Sequence, residues 1–114
     1  MRAYQICDRA GKAGIDWEDR TALSEKLDRQ FADVKSALNN PGSDHMESSL
    51  GAFLFSLTNA ARFAKVHPET ALGGPTKVFE KRFRKMEKQV AQKGSDLQSL
   101  SPAEKEQMWQ ELSN

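Results

Sequence analysis

A chain of 114 residues with a formal net charge of +1, from 17 Lys and Arg against 16 Asp and Glu, has room for one modest core and no overall field to steer it toward nucleic acid or an anionic membrane. Its single cysteine, Cys7, excludes an intramolecular disulfide and a cysteine-rich zinc site, which suits a reducing compartment. No apolar run approaches the ~20 residues a bilayer-spanning helix needs, and the opening M-R-A-Y-Q-I-C-D-R lacks the apolar stretch of a signal peptide. A soluble, cytoplasmic protein with one domain over residues 1–114 is expected.

Ala3, Ile6, Cys7 and Ala10 recur at helical spacing and predict a first helix from Arg2 to Ala13, weakened at its end by Gly11 and Gly14, with Cys7 as a small packing residue. In the following I-D-W-E-D, Asp16 is expected as an N-cap and Trp17 as an anchor for the helix crossing. Leu23, Leu27, Phe31, Val34 and Leu38 predict a second helix from Glu18 to Leu38, stopped by the turn residues Asn39-Asn40-Pro41-Gly42.

The third helix, Asp44 to Val66, opens on Asp44 and Glu47 as a capping pair and closes before His67-Pro68. At about 100° per residue, Leu50, Phe53, Leu54, Leu57, Ala61 and Ala64 form one stripe, read as the core face. About 180° away lies a row of small or polar groups, His45, Ser49, Ala52, Ser56 and Asn59, which leaves a shallow gap against a neighbour. That row is the candidate site.

After one turn, Gly73-Gly74-Pro75 is expected to stop or kink the chain, because proline lacks a backbone donor and clashes with the preceding turn. From Thr76 to near Gly94, Phe79, Phe83, Met86 and Val90 share one stripe of a basic fourth helix that carries Lys77, Lys81, Arg82, Arg84, Lys85 and Lys88. Ser101-Pro102-Ala103-Glu104 then supplies a capping box for a short terminal helix through Met108, Trp109 and Leu112. With no period-two alternation, the prediction is an all-α bundle of four or five helices, whose wide apolar stripes favour a homodimer.

Four stretches, R-A-Y-Q-I-C-D-R-A-G-K-A-G-I-D-W, S-L-G-A-F-L-F-S-L-T-N-A-A-R, F-E-K-R-F-R-K-M-E and M-W-Q-E-L, together resemble a MazG-type nucleoside triphosphate pyrophosphohydrolase. The resemblance covers nearly the whole chain and is strongest to the C-terminal half of the two-domain form, so a fragment or a shortened relative is among the expectations. It implies an all-α dimer that splits a nucleoside triphosphate into monophosphate and pyrophosphate with Mg²⁺.

In that family an ExxE pair on the second helix and an ExxD pair on the third hold the metal, since hard divalent cations take oxygen ligands and carboxylates three residues apart share a helix face. By the resemblance these positions fall on Gln30, Asp33, Ser49 and Ala52, so three of four carboxylates are missing and Asp33 alone remains as a weak metal ligand. Glu47 and Asp28 lie about 200° from Ser49 and Gln30 respectively and point elsewhere. His45, one turn above Ser49, makes a softer-metal site with Asp33 conceivable, although a solvated histidine is the simpler reading. The resemblance also assigns nucleotide contacts to Lys26, Asn59, Lys81, Arg82 and Trp109. Against those roles stand a solvated basic face paired Glu80 to Arg84 for Lys81 and Arg82, and terminal-helix packing for Trp109.

The reading is therefore a MazG-like domain with a degenerate metal site, catalytically weak or inactive, that retains nucleotide binding. Two alternatives stand beside it: an active enzyme completed by a partner chain or domain, and a helical dimerisation module. Nucleic-acid binding through Lys77 to Lys88 is disfavoured, because Glu80 and Glu87 interrupt the patch and no exposed aromatics interleave it.

Overall fold

The computed structural model describes residues 2–40, 42 and 44–112. Among them run α1 (Arg2–Lys12), α2 (Arg20–Leu38), α3 (Met46–Phe63), α4 (Pro68–Gln92), a 3-10 turn (Leu97–Ser99) and α5 (Pro102–Glu111), with no strand. No helix among these residues is long and apolar enough to cross a membrane. The chain divides into two compact units, Met1–Glu69 and Thr70–Asn114, so α4 begins in the first and continues in the second.

In the first unit α3 packs on both α1 and α2. The inward row of α2 is Leu23, Leu27, Gln30, Val34 and Ala37, with Leu23, Val34 and Ala37 buried and Leu27 and Gln30 partly covered, at the three- and four-residue spacing of a helix seam, whereas the expected core residues Phe31 and Leu38 are exposed. The core face of α3 is likewise turned from the expected leucine stripe. Leu50, Leu54 and Leu57 are exposed, as is Ala64, and the side turned inward carries Ser49, Phe53, Ser56 and Ala60, with Ser56 fully buried. Small residues there let the two backbones approach, and Phe53 fills the remaining space by stacking on Phe31 at 5.6 Å between centroids. Cys7 is buried, as a packing residue should be, and burial pushes its thiol up from the ordinary range.

Helix ends follow local chemistry. α1 closes with Gly14 at φ +97°, the Ile15 amide donating to the Ala10 carbonyl at 2.9 Å and the Gly14 amide to Gly11 at 3.1 Å, the pattern of a Schellman cap. Gly94 closes α4 in the same way, while α3 makes the corresponding bonds with Lys65 at φ +63°, a left-handed conformation that costs a residue with a Cβ about 1 kcal/mol or more.

Two expected details differ. Asp19, not Asp16, caps α2, its carboxylate accepting the Ala22 amide at 2.8 Å. α3 has His45 at its N-cap with no capping bond from the side chain, its carbonyl instead accepting the Ser49 amide at 2.9 Å, and Asp44 stands one residue outside the helix. Of the turn after α2, Pro41 lies outside the described residues, and Asn40 ties back by donating its side-chain amide to the Ser36 carbonyl at 2.9 Å.

Asp16 has another partner. Its two oxygens accept from the Nη2 and Nη1 of Arg62 at 2.5 and 3.1 Å, and Arg62 Nε donates to Asn59 Oδ1 at 2.9 Å. The Arg62 side chain is only 11% exposed and that of Asp16 30%, so the pair joins the loop before α2 to the end of α3 with its carboxylate still in reach of solvent. Gly11 makes the geometry possible: a Cβ there would stand 2.7 Å from Arg62 Nη1. The guanidinium, with help from the Trp17 amide, holds the Asp16 carboxyl below the usual carboxylate range.

In the second unit Met86 and Val90 of α4 are buried, and Leu97, Leu100, Met108 and Leu112 are partly covered. The expected capping box is present, with the Glu104 amide donating to Ser101 Oγ at 3.1 Å and the Ser101 amide to Glu104 Oε1 at 2.9 Å. The 3-10 turn, absent from the sequence-based expectation, is capped by Asp96, which accepts from the Ser99 amide at 2.9 Å. The break expected at Gly73-Gly74-Pro75 does not occur, since α4 runs through Pro75 without interruption. Much of the penalty on a residue before proline is a clash between the proline ring and that residue's Cβ, and Gly74 has none.

Two outcomes follow from this packing. Gly73→Ala, which meets open space, is expected to stabilise the protein by about 0.5–1 kcal/mol in thermal unfolding followed by circular dichroism, whereas Gly74→Ala restores the clash with Pro75 and gains less or loses. Because the Asp16 carboxyl is lowered in the folded state, its contribution is complete above the ordinary carboxylate range and is lost as pH falls through its folded value. Asp16→Asn should therefore cost about 1–2 kcal/mol at neutral pH and give a shallower decline in melting temperature than the parent between pH about 6 and about 2.5.

Candidate functional site

The seam between α2 and α3 brings together part of the expected metal set. Asp33, Ser36, Ala37 and Asn40 of α2 and its following turn face His45 and Ser49 across a cleft of about 510 Å³. Asp33 and His45 are exposed and Ser49 is partly covered, so the cleft is open to water and its Asp33 carboxylate is well hydrated. Ala52 lies outside the cleft lining on an exposed stretch of α3. Gln30 sits deeper, within the inward row of α2, and its Oε1 is buried with no hydrogen-bond partner.

This donor set fits a divalent cation poorly. A hard ion such as Mg²⁺ needs several oxygens in octahedral array and enough negative charge to offset its dehydration. The seam offers one carboxylate from Asp33, a neutral amide oxygen from Gln30, a hydroxyl from Ser49, and nothing from Ala52. Among the described residues no three His, Cys, Asp or Glu side chains group closely enough to share an ion. The orphaned Gln30 oxygen is the single buried acceptor there that lacks a donor, and burying it unpaired costs about 1–3 kcal/mol unless a cation or water meets it.

The remaining assigned residues are held in two places. In the first unit Lys26 is half-buried with its ammonium 5.2 Å from the centroid of Trp17, a cation-aromatic contact that also positions the tryptophan. Asn59 lies on the same row of α3 as Ser49 and Ser56, and its carboxamide oxygen is taken by Arg62. In the second unit Lys81 is exposed on a basic face with Lys77, Arg84, Lys85 and Lys88, where Glu80 and Arg84 pair at 2.5 Å as the four-residue spacing predicts.

Arg82 departs from that solvated face. Its Nε donates to the Trp109 carbonyl at 3.0 Å, its Nη2 donates to the same oxygen, and its guanidinium carbon lies 4.1 Å from the centroid of the Trp109 ring. A C-terminal carbonyl of α5 is thereby satisfied by a cation, which the helix dipole favours. Phe79 meets the ring of Trp109 at 5.1 Å between centroids, and together with Phe83, Met86, Leu97 and Pro102 they line an apolar cleft of about 580 Å³ whose rim carries Lys105 and Glu106. Trp109 is thus both a packing residue and one wall of a cleft wide enough for an aromatic ring.

Arg62 and Gly11 are the residues that sequence reasoning missed. The signal was present: Arg62 follows Asn59 by three, which places both on one helix face, and Gly11 interrupts an otherwise good helix where only a missing side chain admits a guanidinium.

No family model matches the chain. It is 32% identical over 108 residues to a protein of Thermotoga maritima named nucleoside triphosphate pyrophosphohydrolase/pyrophosphatase MazG, which covers 95% of this chain and 41% of that one. A nucleoside triphosphate pyrophosphohydrolase of Escherichia coli K12 is 29% identical over 114 residues, 98% of this chain and 43% of its own. An uncharacterized protein of Bacillus subtilis, YabN, is 32% identical over 71 residues, 62% of this chain and 14% of its own. The chain spans about two fifths of the length of the two pyrophosphohydrolases. Over nearly every residue, and with an all-helical fold among the described residues, the chain is similar to proteins named nucleoside triphosphate pyrophosphohydrolase of the MazG type.

Proposed function

We propose that this chain is a disarmed pyrophosphohydrolase domain: it binds nucleoside triphosphates and hydrolyses them little or not at all. The observation that carries this reading is the donor set around the α2–α3 seam, where Asp33 is the one carboxylate, Gln30 and Ser49 are neutral, and Ala52 lies outside the cleft and offers no donor. A doubly charged ion gains too little there to shed its water. Without it, nothing at the seam neutralises the charge that develops on the departing pyrophosphate as water attacks the α-phosphorus and the bond from that phosphorus to the bridging oxygen breaks. In the first unit the nucleotide contacts of this reading are Lys26 and Asn59. In the second unit, taken by itself, they are Lys81, Arg82 and Trp109, with Arg82 holding the Trp109 ring.

A pyrophosphate assay over the common triphosphates with Mg²⁺ or Mn²⁺ tests this. The parent should release pyrophosphate at a rate near that without protein, and a variant with Gln30→Glu, Asp33→Glu, Ser49→Glu and Ala52→Asp should release it at least about a hundredfold faster, as one restored electrostatic element commonly supplies. Robust Mg²⁺-dependent release by the parent would overturn the proposal. One observation favours a second reading, that a further domain completes the site: the chain spans only about two fifths of the length of the pyrophosphohydrolases it matches. Activity gained on adding flanking sequence, with the seam unchanged, would favour it.

The exposed leucine stripe of α3 supports a homodimer. Leu50, Leu54 and Leu57 lie on one face at four- and three-residue spacing, with Leu54 55% exposed, and two copies of such a stripe are self-complementary about a twofold axis. Light scattering at micromolar concentration should return twice the chain mass, and Leu54→Glu should return a monomer. A monomeric parent would exclude the dimer.

A further inference from the structure

A guanidinium carries five N–H donors and no acceptor, so whatever it bonds to must present an oxygen or a lone pair. Arg62 Nε donates to the Asn59 side chain at 2.9 Å, and of the two ends of that carboxamide only the oxygen can receive it. The NH₂ end is therefore turned away from Arg62. Arg62 has little freedom to release its partner, because Asp16 takes its other two nitrogens at 2.5 and 3.1 Å and Gly11 leaves just enough room beneath it. An unrestrained asparagine offers either end to a ligand; this one is held in a single sense.

We propose that Arg62 is a positioning residue that makes Asn59 a pure donor toward a bound nucleotide. The inference rests on the nucleotide-binding reading above and adds to it the polarity of one contact: the group Asn59 meets is an acceptor. Phosphate oxygens satisfy that requirement, as do ribose oxygens and base carbonyls. A side chain that merely packed would be indifferent to which end faced outward.

Asn59→Asp separates the two. It keeps an oxygen on Arg62 and preserves the fold, but turns a charged acceptor toward the ligand where the parent offers N–H groups. Calorimetric titration with a nucleoside triphosphate should show about a tenfold or greater loss of affinity in Asn59→Asp with no fall in melting temperature. Arg62→Lys, whose single ammonium cannot span both Asp16 and Asn59, should weaken binding about three- to tenfold and shift the Asn59 side-chain amide signal in ¹H–¹⁵N spectra before any ligand is added. In the parent that signal, assigned by its loss in Asn59→Asp, should move during titration. Movement with inorganic tripolyphosphate identifies a phosphate oxygen as the acceptor, and movement with the nucleoside alone identifies the sugar or base. If the triphosphate binds while the Asn59 signal stays fixed and Asn59→Asp binds equally well, this inference is overturned and the nucleotide-binding reading stands. If no nucleotide binds at millimolar concentration by either method, both are overturned.

Discussion

Arg62 keeps a positive charge where about nine tenths of its side chain is shut off from solvent, and a charge in that position has to be paired. Asp16 supplies the pairing from the loop ahead of α2, Asn59 from the preceding turn of α3, and Gly11 of α1 supplies the space. Three helices of the first unit are thereby referred to one side chain. Pairing also explains why Asp16 does not cap α2: a carboxylate engaged by a bidentate guanidinium gains more than one that accepts a single amide, and Asp19 is available for the amide.

Farther along the same face of α3, the seam with α2 follows a different physical logic. The α3 side of the seam carries the small Ser49, Ser56 and Ala60 with Phe53, which faces the larger Leu23 to Ala37 row of α2 and stacks on the half-exposed Phe31. Four carboxylates in such a seam would repel one another unless a cation sat among them. The neutral groups present carry no such repulsion. Among them the Gln30 side-chain oxygen is buried without a donor.

In the second unit, Arg82 plays a part that resembles that of Arg62. It covers an aromatic ring with its flat face and satisfies a helix-terminal carbonyl with its edge, two contacts that a lysine could not make together. The neighbouring Lys81, Arg84 and Lys85 stay exposed, so a single basic run divides into one structural arginine and a solvated face.

Much of the secondary structure was legible because its causes are local. Helical periodicity located α1, α2, α3 and the part of α4 from Thr76, Gly14 and Gly94 marked two ends through the left-handed cap that glycine adopts freely, and Ser101 with Glu104 marked the beginning of α5 through a reciprocal pair of bonds. The resemblance to MazG-type pyrophosphohydrolases could be read from the residues themselves, and so could the neutral identity of Gln30, Ser49 and Ala52, because identity at a position needs no coordinates. What the tertiary structure alone decided was partnership. Hydrophobicity assigned Leu50, Leu54 and Leu57 to the core, yet within one chain the neighbouring helix lies on the small-residue side, since closeness of approach and not apolar content set that contact. Pro75 was read as a break from its own chemistry, while the absent Cβ of Gly74 let the helix continue. The ends of Asp16, Arg62 and Arg82 were settled by groups 46 and 27 residues away in sequence, a separation over which no local pattern carries information.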